Sequence, residues 1–248
     1  MVTLISFVVL LGVLIFIHEL GHFLAARIGG VGVQKFSLGF GPKIFGKTVG
    51  ATENVLSWIP LGGYVKLLGE SGTEELPPED EERSFYNQPT WKKLLIVLAG
   101  PVFNFLLAVV IFIIVYMYGL PNLVPVIGEM SVDSAAAASG IMKGDTIVSL
   151  NDQKITYWDE IKPIITKGKD REVKVVVERG GESKTFTVKP KITRTKNIFG
   201  EEESTYLIGV SPSGKTVIER KNPVQAVVAS FEKTWEISKL TVISITKR

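Results

Sequence analysis

The stretch His18-Glu19-Leu20-Gly21-His22 stands near the end of a long apolar run. On a helix, residues four apart lie above one another on one face, so the two imidazoles can bind a single metal ion. This pattern is typical of a Zn²⁺ site in which the glutamate serves as general base towards water at the metal. A chance match is the alternative. Both histidines of the chain lie in this motif, and a carboxylate in an apolar helix is costly, so the sequence favours a metal site.

Two segments without charged side chains, residues 1–17 and 94–128, indicate a membrane protein. With their flanks they predict two spanning helices, because about 30 Å of hydrocarbon takes roughly 20 helical residues. The first helix is expected from about Val2 to Ala26. A secretory signal peptide is the alternative for this segment, but no basic region precedes it and the histidine motif follows it directly.

Basic residues predict the orientation of these helices. They follow the first span and precede the second, at Arg27, Lys35, Lys43, Lys47, Lys92 and Lys93. The positive-inside rule then places residues 28–92 in the cytoplasm, and the N-terminus and residues after about 119 outside. The net charge of +3 gives no reason to expect a nucleic-acid partner, and the absence of cysteine excludes disulfides and cysteine-bound metals.

Short β-strands are expected between the spans, at residues 34–40, 54–59 and 64–68, with turns at Gly41-Pro42 and Pro60–Gly63. Their apolar character predicts a β-hairpin element that lies against the membrane beside the metal, and a small soluble β-meander is the alternative. A substrate could join the edge of this element as an added strand. The candidate substrate contacts there are Gly62, Gly63, Tyr64, Val65 and Lys66. An acidic linker is expected over residues 70–83.

The second span contains a glycine, a proline and an amide. Pro101 has no amide hydrogen and leaves the carbonyl of Val97 without its helical partner, while Gly100 lets another backbone come close. Asn104 would be costly if it faced lipid unpaired, so we expect it to face the metal site. A helix–helix hydrogen bond without a catalytic role is the alternative.

A soluble α+β domain is expected over residues 122–192. Helices are predicted at 135–138 and 157–167, and strands at 146–150, 173–178 and 184–188, the last two joined by Gly180-Gly181. A further strand is expected at 207–210. Residues 223–248 predict an amphipathic helix on the outer membrane surface, and packing on the soluble domain is the alternative.

In this order, the motifs resemble bacterial site-2 proteases of the regulator-of-sigma-E type, which are intramembrane zinc metalloproteases of peptidase family M50. The resemblance covers almost the whole chain and rests on His18-Glu19-x-x-His22, Phe36–Pro42, Pro60–Lys66, Trp91-Lys92-Lys93 before Gly100-Pro101-x-x-Asn104, and Gly140–Asp145 with Ile147–Asn151.

The resemblance implies a polytopic α-helical membrane protein with a membrane-associated β-hairpin element and an inserted extracytoplasmic α+β PDZ domain, in a bacterial inner (plasma) membrane. The implied segments are 1–27 first span, 28–90 β loop and acidic linker, 91–120 second span, 121–193 PDZ domain, 194–222 strand and linker, and 223–248 amphipathic helix. The family takes its third zinc ligand, an aspartate, from a later span that has no match in this sequence. We therefore expect a C-terminally truncated and inactive chain.

The resemblance also implies regulated intramembrane proteolysis, in which single-span proteins such as anti-sigma factors or signal-peptide remnants are cleaved. His18 and His22 would hold Zn²⁺, Glu19 would be the general base, and Asn104 would bind the substrate backbone or the oxyanion. The outer domain would bind a peptide or exclude bulky substrates. A non-proteolytic membrane scaffold that binds peptides through this domain is the rival hypothesis, and a soluble zinc protease with a leader sequence is a third.

Overall fold

The computed structural model describes residues 2–73, 75–196 and 202–246. The chain divides into two compact units, Met1–Ile113 with Ser230–Thr234, and Ile114–Ala229 with Trp235–Arg248. The first unit begins with helix α1, Val2–Ile28, which has no charged side chain before the histidine motif near its end. The helix predicted for this segment is confirmed, and it ends two residues later than expected.

A long antiparallel hairpin follows, formed by β1, Val33–Val49, and β2, Thr52–Leu67. A β-hairpin element is therefore confirmed. Nearly all of the residues predicted as strands do lie in strands, but these form two long strands rather than three short ones. The strands bend where turns were predicted and continue, because Gly39, Gly41 and Gly62 adopt positive φ values of 86°, 85° and 153°. Because the strands bend, residues 35–38 have two sets of partners on β2, namely 53–56 and 63–66.

Large apolar side chains of this hairpin remain exposed. The exposed set is Phe40, Ile44, Phe45, Leu56, Trp58, Ile59 and Leu61. The buried end of the hairpin packs in a small core with the end of α1, formed by Ala26, Val31, Val33, Leu67 and Ile96.

Helix α2, Pro78–Glu81, interrupts the acidic segment that was predicted to be a linker, and Glu74 of that segment lies outside the described residues. Helix α3, Thr90–Tyr118, contains Pro101 and confirms the second apolar helix. Both α1 and α3 are long and apolar enough to cross a membrane. They approach closely at Gly21, where an added Cβ would lie 2.5 Å from the carbonyl oxygen of Ala99.

The second unit is an α+β fold around a four-stranded antiparallel sheet. The elements from residue 120 onward are, in order, β3 Leu120–Leu123, β4 Ile127–Met130, α4 Ala135–Ala138, β5 Thr146–Leu150, β6 Gln153–Lys154, a 3₁₀ turn Trp158–Glu160, α5 Ile161–Gly168, β7 Val173–Arg179, β8 Glu182–Val188, β9 Lys191–Lys196, β10 Glu202–Leu207, β11 Val210–Pro212, β12 Thr216–Glu219 and α6 Pro223–Thr246. The sheet order is β6-β5-β7-β8, and β9–β10, β4–β11 and β3–β12 form separate antiparallel pairs.

The predicted helices and strands within residues 135–188 are confirmed, including the turn at Gly180-Gly181. The strand predicted at 207–210 was wrong, because Gly209 has φ +77° and separates β10 from β11. The predicted end of the domain at residue 193 lies inside β9. Two later strands, β11 and β12, return to pair with β4 and β3.

The buried carboxylate of Asp145, which is 1% exposed, forms an ion pair with Arg179 at the end of β7. The Arg179 guanidinium donates from Nε to Oδ1 at 2.7 Å and from Nη2 to Oδ2 at 2.8 Å. The Met142 amide donates to Oδ2 at 2.9 Å. Burial alone would raise the pKa of Asp145, but these hydrogen bonds outweigh it and hold the pKa below its ordinary value.

We expect Asp145→Asn to destabilise the second unit by about 2–3 kcal/mol at neutral pH, because Arg179 would lose its charged partner. Since the pKa of Asp145 is lowered on folding, its contribution is complete above the unfolded value of about 3.9 and disappears as the pH falls below it. Hydrogen exchange of the β5 and β7 amides from pH 7 to pH 3 measures both effects. Asp152→Asn, which breaks the exposed pair with Lys174, is the matched control. Equal losses in the two variants would contradict this assignment.

Helix α6 confirms the helix predicted near the end of the chain, but its buried face differs from the apolar one. Small side chains one turn apart, Ala226, Ser230 and Thr234, are buried. On the apolar face, Val224 and Trp235 are 75% and 58% exposed.

Candidate metal centre

The two histidines of α1 face one another through the same ring atom. Nε2 of His22 lies 3.2 Å from Nε2 of His18, and the rings meet edge to face. A tetrahedral Zn²⁺ with Zn–N bonds of about 2.0–2.1 Å holds two nitrogens about 3.3 Å apart. The spacing of one helical turn therefore gives the separation that a shared zinc ion requires.

Helix α3 supplies the partner of the outer nitrogen of His22. His22 Nδ1 lies 2.7 Å from the carbonyl oxygen of Ile96 and donates its proton there. A neutral imidazole carries one proton, so this bond leaves the lone pair of Nε2 available to a metal. From Pro101 the sequence predicted a free carbonyl at Val97, whereas the carbonyl that accepts from His22 belongs to the preceding residue, Ile96. No feature of the sequence distinguishes Ile96 from its neighbours.

Gly100 leaves the space in which an ion can sit. An added Cβ at Gly100 would lie 2.4 Å from Nε2 of His22 and 2.7 Å from Nε2 of His18, so it would fill the space between the nitrogens. The expectation that Gly100 admits another backbone was wrong, because the groups that approach it are side chains. The close backbone contact between the helices lies at Gly21 instead. The position of Gly100, one turn before Asn104 on the same helix face, was the available indication in the sequence.

Asn104 reaches the other histidine. Its Nδ2 lies 3.2 Å from Nδ1 of His18. Asn104 Oδ1 is buried, and it has no hydrogen-bond partner among the residues that the structure describes. The expectation that Asn104 faces the histidine motif is therefore confirmed in position.

The bent end of β2 lies against Glu19. An added Cβ at Gly63 would meet the Cγ of Glu19 at 2.9 Å and the Cγ2 of Ile15 at 3.2 Å. Of the other candidate residues on this strand, Gly62 contacts the ring of Phe40 and Tyr64 stacks on that ring. Val65 pairs with Phe36 and Lys66 with Lys35 in the sheet. The structure thus brings Gly63 to the general-base candidate and places the other four along the same strand.

An apolar cavity of about 320 Å³ lies between α1 and the hairpin, next to this strand. Its lining includes Val13, Ile15, Leu38 and Gly62. The sequence did not predict this cavity, because it depends on how the bent hairpin leans on the helix. It offers an apolar space beside the bent end of β2.

The described parts of the chain, 2–73, 75–196 and 202–246, hold no cluster of three His, Cys, Asp or Glu side chains that could bind a metal. The contribution of these residues to a metal centre is therefore the pair His18 and His22. Two imidazoles, a neighbouring carboxylate and an apolar helical setting define a centre of the kind found in zinc-dependent peptidases.

Comparison with known proteins agrees with this class. The sequence model of peptidase family M50 matches residues 6–248, and the chain belongs to this family. Together with helices α1 and α3, family membership indicates a membrane protein.

Curated relatives support the same assignment. A candidate zinc metalloprotease of Mesorhizobium japonicum is 34% identical over 96% of this chain and 69% of its own length. Similarly named proteins of Campylobacter jejuni and Thermotoga maritima are 35% and 36% identical, over 97% and 94% of this chain. The chain spans 64% and 45% of the lengths of those two relatives.

Among solved structures, the PDZ domain of an SdrC-like protein from Listeria monocytogenes matches 37% of this chain and 85% of its own, at 20% identity and a TM-score of 0.28. A similarity of this size carries no argument about the fold.

Proposed function

We propose that this chain supplies two zinc ligands and the general base of a zinc-dependent endopeptidase that cleaves membrane-spanning segments. The observation that carries the proposal is the pair of Nε2 atoms 3.2 Å apart, beside a glycine that leaves room for an ion. The family match and the names of the relatives support zinc as the metal. The same match favours an enzyme over a non-proteolytic scaffold.

Zn²⁺ held by His18 and His22 would supply Lewis-acid chemistry, polarising the scissile carbonyl and lowering the pKa of water. Glu19 takes the proton of the attacking water and returns it to the leaving amine. Across the residues that the structure describes, no hydrogen bond or salt bridge engages the Glu19 carboxylate, so it is available for this transfer. The apolar surroundings keep bulk water away from the reacting groups.

Substrate binding is proposed at the bent end of β2. A helical substrate has its carbonyls engaged in its own hydrogen bonds, so it must unwind before cleavage. An unwound segment can add as a strand along Gly62–Lys66, because Gly63 lies against Glu19 and the scissile bond would then reach the general base. The neighbouring apolar cavity can take a substrate side chain. Asn104, beside His18, can donate to the substrate carbonyl.

The proposed setting is a bacterial plasma membrane that α1 and α3 cross, with the β-hairpin on the cytoplasmic side and the second unit outside. The exposed apolar side chains of the hairpin support its contact with lipid. The exposed apolar face of α6, including Val224 and Trp235, supports a location on the outer surface. We assign the second unit as a PDZ-type domain that binds a substrate terminus or excludes large ectodomains. A cavity of about 170 Å³ along α5, between Ile161 and Ile208, is its candidate peptide site.

Single-span membrane proteins, such as anti-sigma factors or signal-peptide remnants, are the proposed substrates. The test uses the protein expressed from its complete reading frame and reconstituted into liposomes with a single-span model substrate. We expect cleavage within the span that a zinc chelator abolishes and added Zn²⁺ restores. A substrate with an all-leucine span is the control and should be cut more slowly, because leucine resists helix unwinding. Cleavage that persists after zinc removal, or that occurs only outside the span, would contradict the proposal.

A further inference from the structure

Three positions of α3, one turn apart on a single face, serve the two histidines. Ile96 accepts the proton of His22 Nδ1, Gly100 leaves room between the Nε2 atoms, and Asn104 meets Nδ1 of His18. The Nδ1 atom of each histidine therefore lies against a group on α3. For His22 that group is a carbonyl oxygen, whereas for His18 the amide nitrogen of Asn104 stands in this place.

The orientation of the Asn104 amide, with Nδ2 towards His18, does not suit a metal bound to His18. To bind zinc, His18 needs an unprotonated Nε2, so its single ring proton must be on Nδ1. His18 Nδ1–H and the amide group of Asn104 would then be two donors facing each other at 3.2 Å. Oδ1 of the same side chain is buried and accepts no hydrogen bond from any residue that the structure describes. Rotating the amide by 180° removes the clash between the two donors and places Nδ2 in the buried position of Oδ1.

We propose that Asn104 is the positioning residue of His18: in the zinc-bound protein its Oδ1 accepts from His18 Nδ1–H and selects the tautomer that presents Nε2 to the metal. The amide nitrogen then occupies the buried place now held by Oδ1, where it has a proton to donate and no described protein acceptor. We assign a substrate carbonyl as its acceptor. One side chain thus orients a ligand through its oxygen and meets the substrate through its nitrogen.

This inference rests on the proposed zinc function and separates into two measurable halves. Asn104→Asp keeps an acceptor for His18 and removes the donor, whereas Asn104→Leu removes both at similar volume. We expect Asn104→Leu to weaken zinc binding about 10–100-fold, the usual effect of losing a partner that orients a metal ligand. Asn104→Asp should bind zinc within about threefold of the unchanged protein and yet cleave substrate poorly, because no donor remains.

Zinc affinity is measured by competition with a fluorescent chelator on the full protein in detergent. Leu106→Ala, at an exposed position of the same helix, is the control. The tautomer is read directly by ¹⁵N spectroscopy of histidine-labelled protein, in which His18 and His22 are the two histidines of residues 1–248. With zinc bound, we expect both rings to carry their proton on Nδ1, and the His18 signal to change in Asn104→Leu.

Unchanged zinc affinity in Asn104→Leu, equal losses in the leucine and aspartate variants, or a His18 ring protonated on Nε2 with zinc bound would each overturn the inference. These outcomes leave the proposed function standing if the unchanged protein binds zinc and cleaves its substrate. An unchanged protein that binds no zinc would overturn both.

Discussion

Gly100→Ala is expected to reduce zinc affinity at least about 100-fold, more than the loss of a single orienting partner would. The new methyl group would lie 2.4 Å from Nε2 of His22, far inside contact distance, and would occupy the space of the ion. Alanine is a better helix former than glycine, so α3 itself should not be weakened. The measurement is chelator competition for Zn²⁺, together with thermal unfolding of the metal-free protein.

The matched control for this change is Gly12→Ala on α1, where an added Cβ has no neighbour within 4 Å. The two substitutions add the same methyl group to an apolar helix and differ in what that group meets. We expect Gly12→Ala to bind zinc as the unchanged protein does. Equal zinc affinity in the Gly100 and Gly12 variants would show that the metal lies elsewhere.

Glu19→Gln is expected to lower the rate of substrate cleavage by about 10²–10⁴-fold while zinc stays bound. Glutamine has nearly the same shape against Gly63 but cannot take a proton from water. The measurement combines the cleavage rate in liposomes with the zinc content of the same preparation. A large loss of rate at full zinc content is the signature of a general base rather than of a ligand.

Glu79→Gln in the acidic segment is the control for Glu19→Gln, since it makes the same chemical change outside the centre. Its cleavage rate should equal that of the unchanged protein. If Glu19→Gln also cleaves at the unchanged rate, another group transfers the proton and the assignment of Glu19 fails.

The helical parts of the centre were predictable because the physics that places them is local. Apolar composition predicted α1 and α3, and the spacing of His18 and His22 predicted that both rings face one side. The cost of burying an amide predicted that Asn104 would find a polar partner, and that partner is His18.

Contacts between helices were less accessible, since a sequence does not give the rotation of one helix against another. The hydrogen bond from His22 to the Ile96 carbonyl depends on how α1 and α3 cross at Gly21. The position of the two histidine rings beside Gly100 depends on the same crossing. Glycine and proline in a span indicate a special position but not which group will use it.

The β regions show the same limit at longer range. Glycines in the sequence predict a change of chain direction, but they do not distinguish a strand that ends from a strand that bends. The glycines with positive φ lie at bends, so the hairpin was divided into too many strands. The pairing of β3 with β12 and of β4 with β11 joins segments about 80 to 100 residues apart, and no local pattern records it. On α6, hydrophobic spacing predicted a helix but not that its small side chains form the buried face.

Zinc K-edge X-ray absorption of the protein expressed from its complete reading frame measures the ligands of the metal directly. We expect two imidazole nitrogens at about 2.0–2.1 Å from zinc. The imidazole signal should disappear in the His18→Ala, His22→Ala double variant, which removes both histidines of residues 1–248. A zinc spectrum without imidazole scattering, or one unchanged by the double substitution, would contradict the shared metal centre of His18 and His22.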